Sequence, residues 1–171
     1  IPLVRGGDTV ENPYAREGWS ANADFDMEKP YNFMNTSPLD PALVYKVNEF
    51  ADDLLRGVIR GKLSPVDIAD RLDRLADSAD AGLGCAIAAV PDAEEPSFVR
   101  LAADIRIMAG IGRFFARKFR AALAFSLHEK TGGRNFAEDA LALYRSARQA
   151  WVQVIEASIG TYQDDITFGH P

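Results

Sequence analysis

The sequence predicts an all-α protein: an antiparallel helical bundle of about four helices, two of them long, behind an irregular N-terminal arm. Two observations carry this. Apolar residues recur at three- and four-residue spacing in four blocks between residues 41 and 160, each bracketed by Pro or Gly. The last two blocks, from Pro96 to Gly160, are long and joined only by Thr131-Gly132-Gly133-Arg134-Asn135. So short a break makes them an antiparallel hairpin.

Residues 1–40 show neither helical nor strand periodicity, yet carry Tyr14, Trp19, Phe25, Tyr31 and Phe33. Disordered segments are usually poor in aromatic rings. This stretch therefore reads as an arm packed on the bundle. The bundle proper is expected over 41–160, followed by an irregular tail, 161–171. The chain opens on Ile1 rather than Met and runs out at Gly169-His170-Pro171 without a helical finish. It is expected to be a piece of a larger parent chain.

The first helix is expected to start at Asp40-Pro41, an N-cap followed by Pro in the first turn. Val44, Val47, Phe50, Ala51, Leu54, Leu55 and Val58 supply its stripe, and Gly57 and Gly61 its end. The second opens at Ser64-Pro65-Val66-Asp67, an approximate capping box. Ile68, Leu72, Leu75, Ala76 and Ala79 form its apolar side, and Gly82 and Gly84 should stop it. The third opens at Pro96 and runs to Lys130 on a stripe of Phe98, Leu101, Ile105, Met108, Phe115, Phe119, Ala122, Phe125 and Ser126. Gly110 and Gly112 interrupt it at about 1 kcal/mol each against Ala, so close helix approach or a kink is expected there. Asn135 should cap the fourth helix. Phe136, Ala140, Leu143, Tyr144, Ala147, Trp151, Val154, Ile155 and Ile159 line its inner face, and Gly160 ends it.

Composition excludes several classes. The formal net charge is −6, with both signs interspersed, which is wrong for a nucleic-acid module that must neutralise phosphates. No apolar run reaches the roughly 20 residues of a membrane span. Cys85 is the lone cysteine, so no internal disulfide can form. Its small-residue surroundings predict a buried, inert thiol.

No catalytic signature is present. A di-iron bundle needs Glu-x-x-His pairs, but the two histidines, His128 and His170, have no Glu three residues earlier. Neither a metal nor an organic cofactor is expected. His128, in the last turn of the third helix, suits the helix dipole better than a ligand role. Arg113, Arg117, Lys118 and Arg120 are expected to form a face paired with neighbouring acids. Asp24 with Asp26, and Asp164 with Asp165, are the acidic pairs that a glycosidase reading would use. Trp19 and Tyr31 are the rings best placed to stack on a sugar. These six residues are the candidate ligand-binding set, with no catalytic residue among them. A third candidate is a polar pocket between the long helices near Gly110 and Gly112, which would serve a small-molecule enzyme.

Three phrases extend the reading: Gly61-Lys62-Leu63-Ser64-Pro65-Val66-Asp67-Ile68-Ala69, Leu101-Ala102-Ala103-Asp104-Ile105-Arg106-Ile107-Met108-Ala109-Gly110, and Tyr162-Gln163-Asp164-Asp165-Ile166-Thr167-Phe168-Gly169. Together they resemble the helical region near the C-terminus of large bacterial glycoside-hydrolase-like proteins, in which a catalytic barrel precedes a helical bundle. The resemblance implies a non-catalytic accessory domain in a secreted or cell-envelope protein. Its partners would be a neighbouring domain of the same parent chain and, as ligand, carbohydrate. A stand-alone glycan- or protein-binding module is the alternative.

Overall fold

A computed structural model describes Pro38 and residues 40–162. Among these the chain forms four helices: α1 (Val47–Arg56), α2 (Pro65–Ala89), α3 (Pro96–Thr131) and α4 (Arg134–Ser158). At about 1.5 Å per residue, the 36 residues of α3 span roughly 54 Å. α3 is the shared spine, with α4 along one side, α2 along another and α1 against its C-terminal half.

Ion pairs fix the directions. On α3, Arg113 meets Asp77 and Asp80, while Arg120 meets Asp70 and Asp73. As numbers rise on α3 they fall on α2, so the two are antiparallel. α4 returns antiparallel through the Gly132-Gly133 turn. Its pairings run from Phe136, just after that turn, to Val154 against Gly110. α1 runs parallel to α3: Ser126 Oγ donates to Asn48 Oδ1 at 2.6 Å, and Lys130 meets Asp52 at 2.8 Å.

The second helix starts as its sequence requires. Ser64 Oγ accepts from Asp67 N at 3.1 Å, and the Asp67 carboxylate accepts from Ser64 N at 2.8 Å. Both orphan donors of the first turn are thereby satisfied. Hydrogen bonds from the Ser64 hydroxyl and backbone also hold the Asp67 carboxyl below its ordinary pKa.

Three boundaries differ from expectation. Asp40-Pro41 opens only a single turn, whose Asp40 Oδ1 accepts from Ala42 N and Leu43 N. The helix waits until Val47 because the intervening backbone is engaged elsewhere. Tyr45 N donates to Leu63 O and Leu63 N to Leu43 O, closing a parallel bridge beside the start of α2. α2 does not stop at Gly82 or Gly84 but continues to Ala89. Leu83 between those glycines is buried, which offsets their propensity cost. Pro91 ends the helix by forcing Val90 into extended backbone. α4 is entered from Gly133 rather than capped by Asn135, which lies inside the first turn.

Most of the buried apolar residues are alanines. The α4 seam consists of Ala140, Ala147, Ala150 and Val154. Tyr144, Trp151, Ile155 and Ile159, expected on that inner face, are exposed. The reason is the close approach of α3. A Cβ on Gly110 would lie 2.6 Å from Val154 Cγ2, so the small side chains of α4 face α3 and the large ones are turned aside. Gly112 faces α2, where a Cβ would stand 3.6 Å from the Leu72 carbonyl. The glycine pair therefore serves close packing, and α3 passes through it unbroken. Leu54, Leu55, Val58, Leu75, Leu101 and Met108 also prove exposed. A compact core of larger side chains lies at the other end of α3. There Val47, Ala51, Ile68, Leu72, Phe119, Leu123 and Leu127 meet.

Candidate functional site

The hairpin turn is built by short-range chemistry. Gly132 takes a positive φ of 70° that an L side chain rarely adopts. Thr131 Oγ1 donates to Leu127 O and accepts from Gly133 N. His128 Nδ1 lies 3.0 Å from Gly133 O. A carbonyl can only accept, so the imidazole carries its proton on Nδ1 and ties the end of α3 to the start of α4. His128 therefore has a structural partner, in keeping with its place in the last turn.

The basic run is likewise absorbed into packing. Arg113 and Arg120 bridge four aspartates of α2, as its pattern suggested. Hydrogen bonding to Asp77, reinforced by Asp80, raises the Arg113 pKa despite partial desolvation. For Arg120 desolvation is the largest influence and acts downward, but Asp70 and Asp73 together outweigh it. Lys118 is buried, its Nζ 5.4 Å from the centre of the Phe114 ring.

One polar constellation had no sequence signal. The Asp53 side chain is almost fully buried between α1 and the following loop. Arg60 Nη2 donates to Oδ1 at 2.9 Å, and Nε lies 2.6 Å from Oδ2 as an ion pair without hydrogen-bond geometry. The Tyr45 hydroxyl accepts from Arg60 N at 3.1 Å. Burial alone would push the Asp53 carboxyl up. Hydrogen bonds from Arg60 and Tyr45, with the charges of Arg60 and Arg56, hold it below the ordinary value instead. Gly57 at a φ of 68° and the contact Val58 N to Asp53 O return the chain at this point. The arrangement is a loop clasp, with its acid already neutralised by a fixed cation.

A groove of about 540 Å³ lies between the start of α2 and the α3–α4 hairpin. Val66, Leu123, Leu127, Phe136 and Leu143 make it apolar, and Arg120 and Asp139 are its charged residues. Arg120 is already paired to α2. The groove can therefore seat an apolar group, but it offers no convergent acid–base pair. Among the described residues Val154 packs directly against Gly110, and Leu72 and Ala76 lie within contact distance of a Cβ on Gly112, so the space beside the two glycines is taken by close packing rather than by the polar pocket expected there.

Trp19, Tyr31, Asp24, Asp26, Asp164 and Asp165 all lie outside the described residues, as does His170. Two other expectations are corrected. Cys85 is exposed near the end of α2, because the continued helix turns it away from α3. Trp151, in phase with the apolar stripe of α4, stands half exposed with its ring 5.2 Å from that of Phe114. Among the described residues no group of three His, Cys, Asp or Glu side chains could hold a metal ion. No described helix is long and apolar enough to cross a membrane. No protein-family model, curated protein or solved structure matches the chain.

Proposed function

We propose that this chain is a non-catalytic helical accessory domain of a larger carbohydrate-active, glycoside-hydrolase-like protein, secreted or held at the cell envelope, where it buttresses or extends the catalytic domain. The observation that carries the docking part is the apolar surface around the α1–α2 connection. Ile59 is 95% exposed there, beside exposed Leu54, Leu55 and Val58. A cluster of large apolar side chains left in water marks an interaction site. The clasp of Asp53 on Arg60 holds that loop in one shape, so the surface is presented rather than collapsed. The carbohydrate part rests on the three sequence phrases described above.

The test has two arms. The isolated chain should not hydrolyse aryl glycosides. In the parent protein, Ile59→Asp should weaken association between this domain and its neighbour while leaving the helical circular dichroism of the isolated chain unchanged. Robust turnover by the isolated chain, abolished by Asp164→Ala or Asp24→Ala, would sink the reading.

The alternative of a glycan-binding module draws on the half-exposed Trp151 ring, since flat rings pack against the apolar faces of sugars. It predicts saturable quenching of tryptophan fluorescence by oligosaccharide that survives Trp19→Phe. Unchanged emission at high sugar concentration would remove it.

A further inference from the structure

α2 and α4 both pack on α3 but scarcely on each other. Between their N-terminal ends a stretch of α3 is left as the floor of the groove of about 540 Å³. Leu123 and Leu127 of α3 lie on that floor, with Val66 of α2 on one side and Phe136 and Leu143 of α4 on the other. The lining sets the length. Phe136 to Leu143 and Arg120 to Leu127 each cover seven helical steps, about 10.5 Å. A helix that docks in an apolar groove anchors through residues i, i+3 or i+4, and i+7, which span the same seven steps.

The charges beside the groove are unbalanced. On the α2 side, Asp70 and Asp73 follow Val66 by four and seven residues and so share its face. They hold Arg120, and one step along the cleft Asp77 and Asp80 hold Arg113. Arg117 lies on the same face of α3 between those two arginines. On the α4 side, Asp139 lines the groove and has no ion-pair partner among the described residues. Five carboxylates thus face three guanidiniums. Arg71 and Arg74 of α2 do not redress this, since each stands about 100° round the helix from the acid before it, exposed to water. Arg134, at the start of α4, is held by Glu138.

We propose that this groove docks a basic amphipathic helix of a partner protein. Apolar residues at i, i+3 or i+4, and i+7 of that helix fill the space over Leu123 and Leu127. Lys or Arg beside them face Asp139 on one edge and the Asp70–Asp73 edge on the other. The excess of acid selects a basic helix over an acidic one, because like charges set against each other across an interface are strongly disfavoured. The proposal does not rest on the accessory-domain reading, whose docking surface is the α1–α2 connection.

The probe is a fluorescein-labelled helical peptide of Leu, Ala and Lys with one apolar stripe, titrated with the full chain and followed by fluorescence anisotropy. Its counterpart carries Glu in place of every Lys. The Lys peptide should bind saturably, and the Glu peptide at least about tenfold more weakly. Ala142 lines the groove from an exposed helical position. Ala142→Trp fills the groove without changing the net charge, so it should weaken binding at least about tenfold while helical circular dichroism stays as in the wild type. Asp139→Lys should weaken it about tenfold, and more at low salt than at high salt. Ile59→Asp, on the other apolar surface, should bind as the wild type does. No saturable binding of the Lys peptide, as when another part of the chain fills the groove, overturns the proposal. So does equal binding of the Glu peptide, full binding by Ala142→Trp, which marks a diffuse attraction of base for acid, or loss of binding on Ile59→Asp.

Discussion

Alanine at Gly110 and at Gly112 should act in opposite directions, although the two positions are separated by one residue of the same helix. In the interior of a helix, Gly→Ala contributes about 1 kcal/mol of propensity. At Gly112 the new Cβ meets the Leu72 carbonyl at 3.6 Å and Ala76 Cβ at 3.9 Å, both ordinary contacts. The propensity gain survives, and Gly112→Ala should stabilise the fold by about 0.5–1 kcal/mol. At Gly110 the same atom stands 2.6 Å from Val154 Cγ2, about 1 Å inside the usual contact distance. Val154 is buried and β-branched, so its methyl cannot swing aside within its preferred helical rotamer. Overpacking of this kind costs about 1–3 kcal/mol, leaving Gly110→Ala neutral to about 2 kcal/mol destabilised.

Urea denaturation followed by helical circular dichroism separates the two. Val154→Ala supplies the internal check. Alone it loses buried apolar surface, but in the Gly110→Ala background it also relieves the clash. The double variant should therefore be more stable than the sum of the singles by about 1 kcal/mol. If Gly110→Ala stabilises as much as Gly112→Ala, or if its effect adds to that of Val154→Ala, close helix approach is not why glycine occupies position 110.

Ser64→Ala removes one half of a complete capping box and should cost about 1 kcal/mol of unfolding free energy, measured by the same denaturation. Asp53→Asn should lower the melting temperature more than Asp52→Asn. Asp53 is buried and paired with Arg60, whereas Asp52 joins Lys130 in a surface pair of the kind that contributes little. The carboxyls of Asp53, Asp67 and Glu95 all lie below their ordinary pKa values in the folded chain. Their contribution is fully present above the unfolded-state values near 4 and is lost as pH falls through the folded ones. The melting temperature should therefore drop below about pH 4, and Ser64→Ala should flatten the part of that drop due to Asp67. Cys85 should react with Ellman's reagent in the native chain as fast as in urea. A rate that rises sharply on unfolding would contradict its exposed position.

Where backbone chemistry is local, the sequence was readable. Ser64 to Asp67 forms the capping box its spacing demands, and Gly132 and Gly57 take the left-handed conformations that end helices. That Arg113 and Arg120 would pair with acids of a neighbouring helix was also legible, because the charges recur on helical spacing, whereas the choice of α2 was not. Elsewhere a distant partner decided. The Asp40 cap signal is genuine, but Leu63 takes the backbone groups that would have continued the helix. Leu83 holds α2 together across two glycines. The Asp53–Arg60–Tyr45 clasp joins residues from three local segments and leaves no periodic trace. The candidate ligand residues of the arm and tail lie outside the described residues, so only their chemistry was readable.

The stripe on α3 shows how far periodicity can reach. Leu101, Met108, Phe115 and Phe119 follow one face of the helix, and hydropathy treats them alike. Their fates differ because burial needs a partner, and α1 is too short to serve the whole length. Phe119 is buried and Met108 is exposed for that reason alone. The opposite error occurs on α4, where the alanines are buried and Trp151 is not. A hydropathy pattern ranks Trp above Ala, but a seam against Gly110 admits only small side chains, so size rather than hydropathy sorts the residues. The apolar stripe of α3 is therefore covered by a described helix only toward its C-terminal end, and Leu101 and Met108 stay exposed at the other.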